Sequence, residues 1–174
     1  MKSEIKDGMF TSTQVSTLLG MNVQTLREWQ RKDYLQLPDT GGWQRYSFTN
    51  VLSLSAMSYL LDTGLAHETA ARIARFTTSI YYKYVIRTGE SSDQIIPYLL
   101  VSLSPNEKPE FELIEDITKV PDALLVQVSQ SKRHVTRLLI DNMAIYETMF
   151  ESLNKYVRHD GSRMFWKSEG DLDQ

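Results

Sequence analysis

Residues 10–46 read FTSTQVSTLLGMNVQTLREWQRKDYLQLPDTGGWQRY, and the fold of the first half follows from this stretch. Thr11 and Ser12 are helix-capping types, Val15, Leu18 and Leu19 recur at helical spacing, and Gly20 stops that helix where a tight turn is required. Asn22 can cap a second helix at once. Val23, Leu26 and Trp29 form its buried side, leaving Gln24, Thr25, Arg27, Glu28, Gln30 and Arg31 to face outward. Two short helices joined by a glycine turn make a helix-turn-helix, whose second helix can lie in the major groove of DNA. Pro38, Asp39, Gly41 and Gly42 form a turn cluster, and Trp43-Gln44-Arg45-Tyr46 follows it as a wing strand.

The Gly20-Met21-Asn22 turn, Thr25-Leu26-Arg27-Glu28-Trp29, Tyr34-Leu35 and Gly42-Trp43-Gln44-Arg45-Tyr46 together resemble the winged helix-turn-helix of MerR-type transcription regulators, over about residues 9–76. That family's pattern has Gly where Asp33 stands, Tyr at Trp43, and a second wing Arg at Gln44. The last change removes a phosphate contact. The resemblance implies duplex-DNA binding as a homodimer, with distortion of the DNA as one route to altering transcription and RNA polymerase as a candidate further partner. It also implies a helix pair packed on the reading head and an effector site after it. The expected DNA-binding residues are Gln24, Thr25, Arg27, Gln30, Arg31, Lys32, Arg45 and Tyr46. Arg27 suits a bidentate contact to guanine or a charge-assisted one to phosphate, and Arg45 and Tyr46 suit phosphate. The competing reading of Arg27 is a surface ion pair with Glu28 or Asp33, and that of Trp43 is wing packing.

The 174-residue chain is 41% hydrophobic and 24% charged, ordinary for a globular protein. It has no apolar run of the roughly 20 residues that a membrane span needs, and MKSEIKDGMF lacks the apolar core of a secretion signal, so a cytoplasmic location without membrane contact is expected. There is no cysteine, which excludes disulfides, thiolate metal sites and thiol redox sensing. The net charge is -3, and residues 1–76 carry eight Lys and Arg against seven Asp and Glu. One copy therefore offers a weak electrostatic footprint for DNA, and a dimer doubles it.

Residues 1–8 read as a loose arm. Ser47 to Asn50 caps a third helix with Val51, Leu52, Leu54, Met57, Leu60 and Leu61 on one side, and His67-Glu68 opens a fourth that runs on toward Gly89. After Gln94 the period shortens toward two. Tyr98 to Leu103 and the Phe111–Leu113 alternation read as strands, Leu124 to Val128 as a candidate third, in a small antiparallel sheet. From Ser131 to Tyr156 the helical period returns. Val135, Leu138, Asn142, Ile145 and Met149 fall at heptad positions, the pattern of a dimerisation seam with Asn142 fixing its register.

No site chemistry for an enzyme is visible. His67, His134 and His159 stand far apart, the acidic residues form no paired motif, and no phosphate-binding glycine loop occurs. No cofactor or metal is expected. Phe76, Tyr81, Tyr82, Tyr84, Tyr98 and Phe111 read as core in preference to a ligand pocket.

The expected fold is mainly α with a small β component. It comprises a winged helix-turn-helix over residues 1–76, an α+β domain for dimerisation and effector sensing over 77–160 that ends in a long helix, and a tail over 161–174. The function expected is a sequence-specific, homodimeric regulator of transcription on double-stranded DNA. The alternatives are an excisionase-like or phage architectural DNA-binding protein, or a protein-interaction adaptor with a degenerate helix-turn-helix.

Overall fold

The computed structural model describes residues 3–4, 9–34, 44–81, 98–104, 108–119, 136–160 and 163–167. Strand β1 is Ser3–Glu4 and β2 is Phe10–Thr11, followed by helices α1 (Ser12–Leu18) and α2 (Val23–Arg31). Strand β3 is Arg45–Tyr46, and α3 (Phe48–Asp62) and α4 (His67–Tyr81) come next. Strands β4 (Tyr98–Leu103), β5 (Glu110–Ile114) and β6 (Thr136–Asp141) precede helix α5 (Asn142–Tyr156) and strands β7 (Val157–Asp160) and β8 (Arg163–Trp166). The chain divides into two compact units, residues 1–74 with 146–174, and residues 75–145.

In the first unit the helix ends are made by side chains close in sequence. The Thr11 hydroxyl accepts from the Gln14 backbone N–H at 3.2 Å while Gln14 Oε1 accepts from the Thr11 N–H at 2.8 Å, a capping box that starts α1. The α1 helix closes in a Schellman turn. Gly20, at φ 60°, donates to Thr17 O and Met21 donates to Ser16 O. Asn22 then caps α2 by accepting from Gln24 N–H at 2.8 Å. The same closing turn recurs after α2, where Asp33 donates to Gln30 O at 2.9 Å and Tyr34 to Trp29 O at 3.1 Å. Here the left-handed residue is Asp33, at φ 55°. The family pattern places glycine at this position because only a residue without Cβ takes that conformation freely.

Helix α3 starts in a second capping box, between Ser47 and Asn50. It buries residues on every side, Leu52, Leu54, Ala56 and Met57 among them, as a helix at the centre of a core must. On α4, Ala70, Ala71, Ile73 and Ala74 are buried, while Glu68 and Arg72 form an exposed ion pair at 2.8 Å one turn apart.

The second unit contains a three-stranded antiparallel sheet ordered β5-β4-β6. Two of its strands lie where the sequence period predicts them, whereas Leu124 to Val128 lies outside the described residues. Pleating assigns Leu99, Val101, Phe111, Leu138 and Ile140 to one face, and Tyr98, Leu100, Ile114 and Leu139 to the other. Phe76 stacks on Phe111 with centroids 4.3 Å apart, and Tyr98 packs with Leu100 and Ile114. Phe76 and Phe111 thus meet on one face and Tyr98 lies on the other; Tyr82 and Tyr84 lie outside the described residues. Burial pushes the Tyr81 hydroxyl's pKa up.

Three expectations are corrected. The long helix from Ser131 to Tyr156 is instead a strand followed by a helix: Thr136 to Asp141 pairs along the whole of β4, and only then does Asp141 cap α5. Asp141 Oδ1 accepts from Met143 N–H at 2.9 Å and Ala144 N–H at 3.2 Å, which stops the strand and starts the helix. The heptad seam fails with it. Leu138 sits on β6, Asn142, Ile145 and Met149 are 0%, 0% and 1% exposed within a single chain, and Val135 lies outside the described residues. Finally, the arm is not loose throughout: Ser3–Glu4 pairs with Phe165–Trp166 of β8, which pairs in turn with β7. Tyr156 stacks on Trp166 at 5.6 Å, and Phe150 of α5 lies 6.2 Å from Phe48 of α3.

Candidate nucleic-acid interface

Leu26 is 0% exposed and Trp29 5%, so these two positions fix the rotation of α2 about its axis. With them inward, Gln24, Arg27, Glu28 and Arg31, spaced at i, i+3, i+4 and i+7, form an exposed stripe that Lys32 extends. Thr25 and Gln30 are half-buried at its margins. Among the described residues none of Arg27, Arg31, Lys32 or Arg45 enters an ion pair, so the competing Glu28 and Asp33 partners for Arg27 are not taken up. Three guanidinium groups and one ammonium are therefore left to solvent, as a surface that meets phosphate or guanine requires.

Strands β2 and β3 form an antiparallel pair, with Phe10 opposite Tyr46 and Thr11 opposite Arg45. Adjacent strand residues point to opposite faces, and Arg45 is exposed while Tyr46 is 1% exposed. This corrects the assignment of Tyr46 to phosphate: its ring is part of the core beside Phe10, and its work is to hold Arg45 outward. Pro38, Asp39, Gly41, Gly42 and Trp43 lie outside the described residues. Gln44 receives a hydrogen bond from Gln30 Nε2 at 3.0 Å, tying the residue before β3 to α2. Gln44, which stands where the family pattern has Arg, thus joins α2 to the strand pair that carries Arg45.

His67 was set apart in the sequence only as one of three isolated histidines. It stacks on Tyr34 at 5.9 Å and meets Trp29 edge-on at 6.3 Å, so the start of α4 braces the end of α2. No local pattern signals this, because the contact joins residues more than thirty positions apart. Among the described residues no three His, Asp or Glu side chains come together as a metal-binding group, and no helix is long and apolar enough to cross a membrane.

Residues 10–77 match the family model described as MerR HTH family regulatory protein. No curated protein matches the chain. The match spans the capped helix pair, the strand pair that carries Arg45 and the two helices behind them, and it supports a DNA-binding transcription regulator. Residues 10–77 are a helix-turn-helix segment of the MerR regulatory family.

Proposed function

We propose that this protein is a sequence-specific transcription regulator that grips duplex DNA as a homodimer, with α2 in the major groove and the wing on the flanking phosphates. The observation that carries the reading is the stripe of Gln24, Arg27, Glu28 and Arg31, exposed along α2 and without ion-pair partners among the described residues, with Arg45 exposed on the adjoining strand pair. On this reading Arg27 reads a base, Arg31, Lys32 and Arg45 neutralise phosphate, and Gln24, Thr25 and Gln30 make the flanking polar contacts. The Gln30 to Gln44 hydrogen bond fixes helix and wing as one footprint. Two-fold symmetry then calls for a roughly palindromic operator. RNA polymerase is the further partner, residues 77–174 receive the effector, and the setting is the cytoplasm.

The test is selection of bound sequences from random duplexes, followed by titration at about 50 and about 200 mM salt. Arg45→Ala is expected to weaken binding to all sequences and flatten the salt slope by about one. Arg27→Ala is expected to cost about 1–3 kcal/mol on the selected site and much less on random DNA. Equal losses on both would remove the base-reading role. Salt-sensitive binding without sequence preference would favour an architectural protein, and no binding an adaptor.

A further inference from the structure

Arg158, half-buried on β7, closes its Nε off from solvent with no hydrogen-bond partner. Its guanidinium enters no ion pair among the described residues, and Cζ lies 5.4 Å from the ring centroid of Phe165, the residue directly opposite on β8. A charge taken partly out of water is costly unless it is matched, and an aromatic face matches the charge while leaving the N–H donors unused. The carboxylates closest in register stand elsewhere. Asp160 is opposite Arg163, and Glu4 is opposite Phe165 on the far side of β8, two strand spacings or about 10 Å from Arg158 along the backbone.

The surrounding sequence is basic. Residues 155–167 hold Lys155, Arg158, Arg163 and Lys167 against Asp160 alone, in a chain whose net charge is -3. Lys155, exposed at the end of α5, has Nζ 5.1 Å from the Tyr156 ring centroid, and Lys167 donates from Nζ to Asn154 O at 2.8 Å. Neither enters an ion pair among the described residues. Tyr156 stacks on Trp166 with planes 7° apart, and the Lys167 backbone N–H donates to Tyr156 O at 2.8 Å, so the end of β8 is tied to the end of α5.

From these contacts we infer that Arg158, backed by Phe165, binds a phosphate group, with Lys155 and Lys167 raising the local attraction for anions. A planar guanidinium pairs with carboxylate or phosphate, and the excess of cations around this one favours the more highly charged or repeating anion. Two sources supply such a group, the backbone of duplex DNA and a free phosphate-bearing small molecule. The first rests on the proposed function. Arg158 belongs to the same compact unit as α2 and β3, and its contact would strengthen the weak electrostatic footprint of residues 1–76.

The test uses the whole chain and two probes, duplex DNA and inorganic pyrophosphate. Arg158→Gln is expected to weaken binding to selected and random duplexes alike, by about fivefold at about 50 mM salt in an anisotropy titration, and to flatten the salt slope by about one. Arg158→Lys keeps the charge and should recover part of the loss, with Phe165→Leu falling between. Saturable pyrophosphate binding by calorimetry that Arg158→Gln abolishes, with duplex binding unchanged, would support the site and assign it to a small molecule. Indifference of both probes to Arg158→Gln would overturn the inference. So would equal falls in the urea midpoint for Arg158→Gln and Glu4→Gln with both probes bound as before, since the guanidinium would then serve the fold alone. Pyrophosphate binding lost in Arg158→Gln, in a chain that binds no duplex, would remove the regulator reading and leave the site standing. Sequence-selective duplex binding that needs Arg27, with both probes indifferent to Arg158→Gln, would do the reverse.

Discussion

Asp33 holds a backbone conformation that nearly every other side chain resists, and replacing it measures what the end of α2 costs. At φ 55° the Cβ of an L-residue crowds the following carbonyl, at about 1–2 kcal/mol, with Asp toward the lower end because its short polar side chain tolerates this region. Its carboxylate also sits just past the C-terminus of α2, where the helix dipole is negative, a further penalty of about 0.3–1 kcal/mol. Asp33 has no ion pair among the described residues to offset it. Asp33→Gly removes both penalties and adds about 0.4–1 kcal/mol of chain entropy to the unfolded state. The net expectation is a stabilisation of about 1 kcal/mol. Asp33→Asn keeps the backbone tolerance and removes only the charge, so it should gain about half as much, whereas Asp33→Val should lose about 1 kcal/mol or more. Urea unfolding followed by circular dichroism reads these as shifts of the midpoint at unchanged slope. If Asp33→Gly proves neutral or destabilising while Asp33→Val is tolerated, this residue does not bear the strain and the argument is wrong.

The companion turn gives the opposite sign. A Cβ at Gly20 meets nothing within 4 Å, so Gly20→Ala is charged about 1–2 kcal/mol for its φ of 60°, offset by about 0.4–1 kcal/mol from the stiffer unfolded chain, and Gly20→Asn costs less, as thermal unfolding can rank. Trp29→Ala removes a side chain 5% exposed that also contacts His67, and is expected to cost about 3–5 kcal/mol and to abolish DNA binding, checked by denaturation and by anisotropy titration. Gln44→Arg restores the family's guanidinium at the loss of the hydrogen bond from Gln30; affinity for all duplexes should rise and the salt slope should steepen by about one, and an unchanged slope would mean that this strand does not reach phosphate.

How far the sequence reveals the fold depends on how local the determinants are. Thr11, Asn22 and Ser47 cap within three residues of themselves, and Gly20 closes its own turn, so the helix-turn-helix is legible at sight. The outward stripe of α2 follows from Leu26 and Trp29 by simple period. Tyr46 is misread because the motif associates it with Arg45, whereas the pleat sends the two side chains in opposite directions. Residues 136–141 are misread for a deeper reason. Leu138, Leu139, Asn142, Ile145 and Met149 satisfy a helical period across a boundary that pairing with β4, more than thirty residues earlier, imposes and that Asp141 marks locally only as a cap. The pairing of β1 with β8 and the brace at His67 also join residues far apart in sequence, and no residue in either place announces its partner.

That pairing has a consequence for how the protein comes into being. The unit that contains the helix-turn-helix draws on residues 146–174 as well as 1–74, so its earlier-made portion cannot complete its own packing until the segment around Phe165 has emerged. Domains ordinarily mature in the order of their synthesis. Here residues 75–145 are translated in full while Phe48 still waits for Phe150. A fragment ended near residue 76 would retain every group assigned to nucleic acid and yet leave part of its own interior bare.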